Sequence, residues 1–489
     1  MIEYIYIVER LNMKEEKAGL KFLFIIATKE VFDCDVKFCH SLDIGMRGKF
    51  ITNKKITSAD IKLLTNKIKE YISGGYPILK LNVSSKDAIN YYNRYNEDEK
   101  ARSVDNIINE TIVFNELLGK YGYFYSNIVN NTNEINNFKI VNLDNNDFVL
   151  IDNVDNKREF IYKKNLKTEF DHYNEWINKQ GVRYVCDLNK IISDGKIEDF
   201  IRKNDIIVDN SIMKVAQDIV RLKKKVLFLG GPSSSGKTTS SRKLALFLNA
   251  LGKNTIKISL DNYYKELEEI GIVDGKKDFE NINAIDLVLF RKQMSDLLNS
   301  KSVVIPTYTF TTASKSFNND PVRLEKNDIL IVEGLHSLNQ VVSKNIDKRL
   351  KYKIYVSPLT PLTLDRHNYI STTDNRLLRR IVRDNRTRGV NVEKTLETWS
   401  NVRDGEEKYI FPYTSEADIV LNTSYVYEIG VLKVYVEPLL YTVKMDSPYY
   451  DMARRLLDSL KIFFPISSEY LASDNVLREF IGKSEFNEG

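Results

Sequence analysis

The chain has 489 residues, 43% hydrophobic and 28% charged, with 72 Lys and Arg against 67 Asp and Glu for a net charge of +5. This is ordinary globular composition, enough for about three domains with sizeable cores. So small a net charge gives no bulk attraction for nucleic acid, and no apolar run, Phe22 to Ala27 included, is long enough to span a bilayer.

Residues 1–150 mix helix and strand signals and read as an α+β module. Thr57-Ser58-Ala59-Asp60 is a helix N-terminal capping signal, and Ile61, Leu64, Ile68 and Ile72 then fall on one helical face. Ser84-Ser85-Lys86-Asp87 starts another helix, and the Asn-rich stretch Asn127 to Asn146 predicts loops around short strands. Residues 151–224 are charged, helical in period and without a strong strand, which makes them a helical connector. Residues 225–440 alternate apolar strands (226–230, 255–260, 329–332, 352–356 and 418–421) with helices, the pattern of an α/β doubly wound parallel sheet. Residues 441–489 form a helix-containing tail. Cys34, Cys39 and Cys186 make no metal-ligand pattern and argue against a disulfide framework. With no signal-peptide layout at the N-terminus, a cytoplasmic location is expected.

Chemistry concentrates in the third segment. Gly231-Pro232-Ser233-Ser234-Ser235-Gly236-Lys237-Thr238 fits G-x-x-x-x-G-K-[ST], between the apolar strand Val226 to Leu229 and a helical segment predicted over Ser240 to Leu251. Phosphate oxygens need many N–H donors converging on a small volume. Glycines let the backbone turn tightly enough to supply them, and the helix N-terminus adds its dipole. Gly231, Ser233, Ser234, Ser235, Gly236, Lys237, Thr238 and Thr239 are therefore the expected nucleotide-binding residues. Lys237 would reach the outer phosphates, and Thr238 would offer its hydroxyl to Mg²⁺.

In open α/β sheets ligands sit beyond the carboxyl ends of the strands. Asp261 follows the second predicted strand and Glu333 the third. Phosphoryl transfer needs one carboxylate to accept the attacking hydroxyl's proton and another to hold Mg²⁺ or its waters, and these two suit those roles in that order. Wound as a helix, Asp374 to Gly389 places Arg376, Arg379, Arg380 and Arg383 on one face and Leu377, Leu378, Ile381 and Val382 on the other, with Arg386 and Arg388 beyond. Such a helix can dock by its apolar face and present a phosphate lid. Tyr263, Tyr264, Phe279, Tyr308 and Phe310 supply aromatic faces able to stack on a planar base, though each alone is as readily core.

Taken together, the pieces Gly231–Thr239, Asp261–Tyr264, Phe279–Asn281 with Ala284–Asp286, Ile305–Tyr308, Glu333–Asn339, Arg376–Asp384 and Ala417–Val420 resemble the uridine kinase and phosphoribulokinase family in family order. The resemblance implies an ATP- and Mg²⁺-dependent P-loop kinase acting on a nucleoside 5′-hydroxyl, uridine or cytidine first. It implies catalysis by Asp261, Lys237 and Arg383, and lid positions at Arg383 and Arg388. It also implies a nucleoside pocket at Tyr264, Phe279, Tyr308 and Phe310, with Glu280 at a ribose-binding position where uridine kinases carry Asp. Three further features depart from the pattern: Ala313 replaces a base-contacting His, Val390 an Arg, and a Gln contact near Thr398 is missing. These changes leave the phosphoryl-transfer residues intact and bear on base preference.

Residues 1–150 resemble the second additional domain of threonyl-tRNA synthetases, most closely over Thr57 to Tyr92. That domain edits through an H-x-x-x-H pair, and Ala18 and Phe22 stand at those positions here, so the module is expected to be degenerate. A subfamily of bacterial nucleoside kinases shares this layout and a tail like Pro465 to Gly482. The expected partners are ATP and a nucleoside-like small molecule, without membrane or nucleic acid; a homo-oligomer is compatible with the sequence. The alternatives are a kinase of another small alcohol, such as a sugar phosphate or different nucleoside, and an ATP-switched RNA-binding regulator. A GTPase is disfavoured because no N-K-x-D base-reading motif occurs.

Overall fold

The computed structural model describes residues 2–107, 111–273, 276–279, 281–309, 312–360 and 362–486. Two compact units emerge: Met1–Ile197 with Thr360–Asn375 and Val426–Ser467, and Glu198–Leu359 with Arg376–Tyr425 and Ser468–Gly489. This grouping differs from four consecutive segments, because the chain returns twice to the first unit.

The first unit is α+β. A four-stranded antiparallel sheet orders Asp35–Leu42, Gly45–Ile51, Asp147–Ile151 and Lys139–Asn142. A second sheet has three strands, Leu79–Ser84, Thr111–Leu117 and Lys120–Gly122. The predicted capping signal is realised: Thr57 caps the helix Ser58–Gly74, its hydroxyl accepting from the Asp60 N–H while the Asp60 carboxylate accepts from the Thr57 N–H. Ile61, Leu64 and Ile68 are buried as expected, but the fourth core position is Tyr71, and Ile72 is only half-buried. Tyr71 anchors there because its hydroxyl reaches the Glu30 carboxylate. Ala18 and Phe22 lie in the core of the long helix Ile2–Phe32, in one apolar cluster with Phe124, Ile128 and Val129. The connector is helical throughout its regular parts, as Lys164–Lys179 and Val185–Ser193 in this unit and as Ile197–Arg221, which belongs to the second unit from Glu198 onward.

Residues 360–375 join this unit through charge and hydrogen bonding. Arg366 donates to Asp35 and Glu99, its carbonyl accepts from the Phe38 N–H, and His367 bonds Asp35 and Lys100. Leu362, Leu364 and Ile370 are buried as well, but so few apolar positions among polar ones do not show in the sequence which unit the stretch joins.

The second unit holds a five-stranded parallel sheet. In chain order its strands are β1 (Val226–Gly230), β2 (Asn254–Ser259), β3 (Asp328–Glu333), β4 (Lys351–Ser357) and β5 (Ile419–Asn422). Their spatial order is β5-β4-β1-β3-β2. The chain starts in the middle, fills one side and reverses to fill the other, which makes the sheet doubly wound and puts the switch point at the end of β1. Val226 to Leu229 are wholly buried, as strands covered on both faces require. No helix among the described residues is long and apolar enough to cross a membrane.

Candidate active site

The site is built at the carboxyl end of β1. The chain leaves the strand at Gly230, turns through Gly231–Gly236 and enters the helix Lys237–Ala250, three residues earlier than the apolar period predicts. Two glycines make the turn possible. A Cβ at Gly231 would lie 2.1 Å from the Val356 carbonyl oxygen, and Gly236 takes the left-handed φ of 83°. Ser234, also left-handed at φ 58°, is held there without glycine's freedom.

Lys237 sends its ammonium back over the loop to the carbonyls of Gly231 and Pro232, 3.0 Å each. Burial lowers its pKa from the ordinary lysine value, opposed by Glu333, Asp261, Glu479 and Glu406 in decreasing order. Thr238 is exposed in the first helical turn. The hydroxyls of Ser234 and Ser235 are buried with no hydrogen-bond partner among the described residues, an arrangement suited to a polar ligand.

β3 runs beside β1 and β2 beside β3, so Glu333 ends its strand in register with Ser259, two positions before Asp261. Asp261 sits in the single turn Leu260–Tyr263 that follows β2. Burial raises its carboxyl pKa above the usual value, and Lys237 opposes the rise. Glu333 is also raised, by burial first, with Lys237 opposing and Asp261 and Glu479 adding to it. A raised folded pKa favours the protonated form, so each contribution to stability is present at low pH and lost as pH rises through the folded value. Ionised, the two carboxylates cost stability that a cation beside them would offset. A raised pKa also makes Asp261 a better proton acceptor.

The helix Thr372–Arg388 places its arginines unevenly. Leu377, Leu378, Ile381 and Val382 are buried, as the periodicity predicts, but Arg376 and Arg379 are buried too. Arg376 pairs with Glu406 and donates to the Ser233 carbonyl at 3.1 Å; Arg379 donates to the carbonyls of Thr423 (2.8 Å) and Ser234 (3.4 Å). Arg380 reaches the Ser233 hydroxyl at 3.1 Å. Arg376 and Arg380 also lie over the Trp399 ring. Arg383 and Arg388 instead face Asp384, at 2.7 and 3.5 Å. Three of the five predicted lid arginines thus touch the loop and two do not.

In the aromatic cluster after β2, the Tyr264 ring meets Phe279 and Tyr308 with centroids 5.6 Å apart in both pairs, and its hydroxyl donates to the Phe279 carbonyl at 2.9 Å. Tyr264 and Tyr308 are buried in the apolar cluster and Phe279 is half-buried against it, so Phe279 offers the more accessible ring. Tyr263 is pure core, its hydroxyl donating to Gln293. Glu280 and Phe310 lie outside the described residues.

Three loop contacts escaped the sequence reading. Glu406, 0% exposed, accepts from the Ser233 N–H at 3.1 Å and pairs with Arg376 and Arg403. Thr423 donates its hydroxyl to the Ser235 carbonyl at 2.6 Å. Glu479 accepts from both the N–H and the hydroxyl of Thr239. These residues come from 173, 188 and 240 positions away, and no local spacing signals them.

Residues 226–429 match the model of the Phosphoribulokinase / Uridine kinase family. Among curated proteins, the uridine kinase of Staphylococcus haemolyticus is 28% identical over 198 residues, 40% of this chain and 86% of the relative. The uridine kinase of Macrococcus caseolyticus is 29% identical over 201 residues, 41% of this chain and 88% of the relative. A solved structure described as a possible uridine kinase from Bacillus stearothermophilus aligns with a TM-score of 0.31 at 18% identity, over 44% of this chain and 98% of that one.

Proposed function

We propose that the chain, whose residues 226–429 match the model of the Phosphoribulokinase / Uridine kinase family, transfers the γ-phosphoryl group of ATP to the 5′-hydroxyl of a nucleoside, uridine or cytidine first. The observation that carries this reading is that Glu333 ends β3 beside β1, the strand that leads into the loop and Lys237, and that Asp261 follows β2 beside β3. In it, Gly231 and Ser233 through Thr239 hold the phosphates, and Lys237 neutralises charge on the group in flight. Asp261 takes the proton from the attacking hydroxyl. Arg376, Arg379 and Arg380 brace the loop, while Arg383 and Arg388 serve as the outer lid. Tyr264, Phe279, Glu280, Tyr308 and Phe310 form the acceptor side.

The donors fit Mg²⁺. Thr238 and Glu333 offer oxygen ligands only. Mg²⁺ binds in this sparse way, through one or two protein oxygens plus phosphates and water. When bound, it supplies charge neutralisation at the phosphates.

A kinase of another small alcohol is the second reading, favoured by the base-side departures. Ala313 stands where uridine kinases carry a His, at a left-handed φ of 50° that His tolerates better than most residues. A missing hydrogen bond to the base would weaken binding by about 0.5–1.5 kcal/mol, whereas stacking on aromatic faces tolerates many bases. Broad nucleoside acceptance is therefore expected, and Ala313→His should sharpen pyrimidine preference in parallel kcat/KM measurements. A wild type already strict for uridine, with selectivity unmoved by the substitution, would assign base reading elsewhere. An ATP-consumption screen over nucleosides and sugar phosphates tests the main reading. Uridine or cytidine should turn over fastest; turnover confined to a sugar phosphate would favour the second reading.

Residues 1–150 are taken as the degenerate synthetase-like module of a cytoplasmic enzyme. Ala18 and Phe22 are buried hydrocarbon and cannot ligate a metal or orient a water. The full chain should not release serine from Ser-tRNA above the uncatalysed rate. Measurable deacylation would overturn the assignment.

A further inference from the structure

The C-terminal segment carries a contact that phosphoryl transfer does not require. Thr239 lies in the first turn of the phosphate-loop helix, where backbone N–H groups have no partner within the helix and the dipole favours an anion. Its N–H and its hydroxyl both donate to one oxygen of Glu479, at 3.1 and 2.7 Å. A carboxylate oxygen on those donors makes the charge-assisted bonds that a phosphate oxygen would make.

The backbone that delivers Glu479 is fixed. Val476 packs so closely on Gly236 that a Cβ there would lie 2.5 Å from its methyl group. Phe480 is fully buried beneath the Arg379 guanidinium, 4.9 Å from the ring centroid. Arg386 donates to the carbonyls of Phe480 and Glu479, at 3.0 and 3.2 Å. Glu479 itself is half-buried, so its carboxylate is partly accessible to solvent. Glu406 is the useful contrast. It also accepts from a loop N–H, yet it is sealed between Arg376 and Arg403 and belongs to the scaffold.

We propose that Glu479 sets the affinity of the nucleotide site by competing with a nucleotide phosphate for the Thr239 donors, so that nucleotide binds by displacing it. The proposal rests on the phosphate-loop reading above. Its consequence is arithmetic: apparent affinity falls by the fraction of molecules in which Thr239 is already taken. Anything that shifts residues 476–481 would then change nucleotide affinity without touching the acceptor side.

Calorimetric titration of the full chain with Mg-ATP, Mg-ADP and adenosine tests this. Glu479→Ala should tighten ATP and ADP by about tenfold to a hundredfold, the scale of hydrogen bonds to a charged group, and the shape-preserving Glu479→Gln, which keeps a neutral acceptor, should tighten them by less. KM for ATP should fall with the binding constant, and adenosine, which has no phosphate, should gain nothing. Weaker ATP binding in both variants would make Glu479 a ligand of the nucleotide and overturn the proposal. Equal affinity in all three proteins, or an equal gain for adenosine, would also overturn it. A wild type that binds neither ATP nor ADP would instead overturn the phosphate-loop reading itself.

Discussion

Replacing Lys237 by alanine is expected to all but abolish phosphoryl transfer, by about 10³-fold, while leaving the fold intact. The ammonium bonds the carbonyls of Gly231 and Pro232 over the loop, and the proposed mechanism has it neutralise charge on the group in transfer. Alanine offers no donor and no charge in its place. Loss of one preorganised electrostatic group costs about 10²–10³-fold in turnover, and Lys237 combines a hydrogen-bond donor with a full charge, so about 10³-fold is the expected scale. The fold should survive because the lysine's own hydrogen bonds go to loop carbonyls and not to the core. Single-turnover measurement with γ-labelled ATP, beside a thermal melt, separates the two effects. Turnover near the wild-type value would remove the phosphate loop from the mechanism.

Asp261→Asn should lower turnover by roughly 10²–10⁴-fold, the range for loss of a positioned general base. Asparagine keeps the shape of the side chain at the end of β2 but cannot accept the hydroxyl's proton. Burial raises the carboxyl's pKa, opposed by Lys237, and a base so tuned takes a proton more readily than an exposed aspartate does. Nucleotide binding should persist, since the loop is untouched. Should ATP affinity collapse while bound substrate still turns over, Asp261 would belong with the metal ligands and not with the acceptor.

The features legible in the sequence are those set by local physics. The parallel strands follow from short apolar runs, and the observed β2, Asn254–Ser259, lies one residue from the expected 255–260. The capping box at Thr57 and the phosphate loop are each fixed by a few neighbouring residues. The helix after the loop begins at Lys237 and not at Ser240, because polar Lys and Thr fill its first turn and hide the apolar period. Long-range pairing was not legible. Glu406 and Glu479 are single carboxylates in ordinary charged stretches, and only the folded chain brings them to Ser233 and Thr239. Residues 360–375 likewise gave no sign that Arg366 and His367 would bond Asp35. The amphipathic reading of the arginine helix located its apolar face, but it could not foresee that Arg376 and Arg379 are buried beside the loop through Glu406, Thr423 and its carbonyls.

Identification of the product formed from uridine, ATP and Mg²⁺ is the most direct measurement. The full chain should convert uridine to uridine 5′-monophosphate with one ADP released per monophosphate, visible as a new phosphomonoester resonance in ³¹P NMR. ATP left unconsumed, or hydrolysed to free phosphate without any phosphorylated nucleoside, would contradict a nucleoside 5′-kinase.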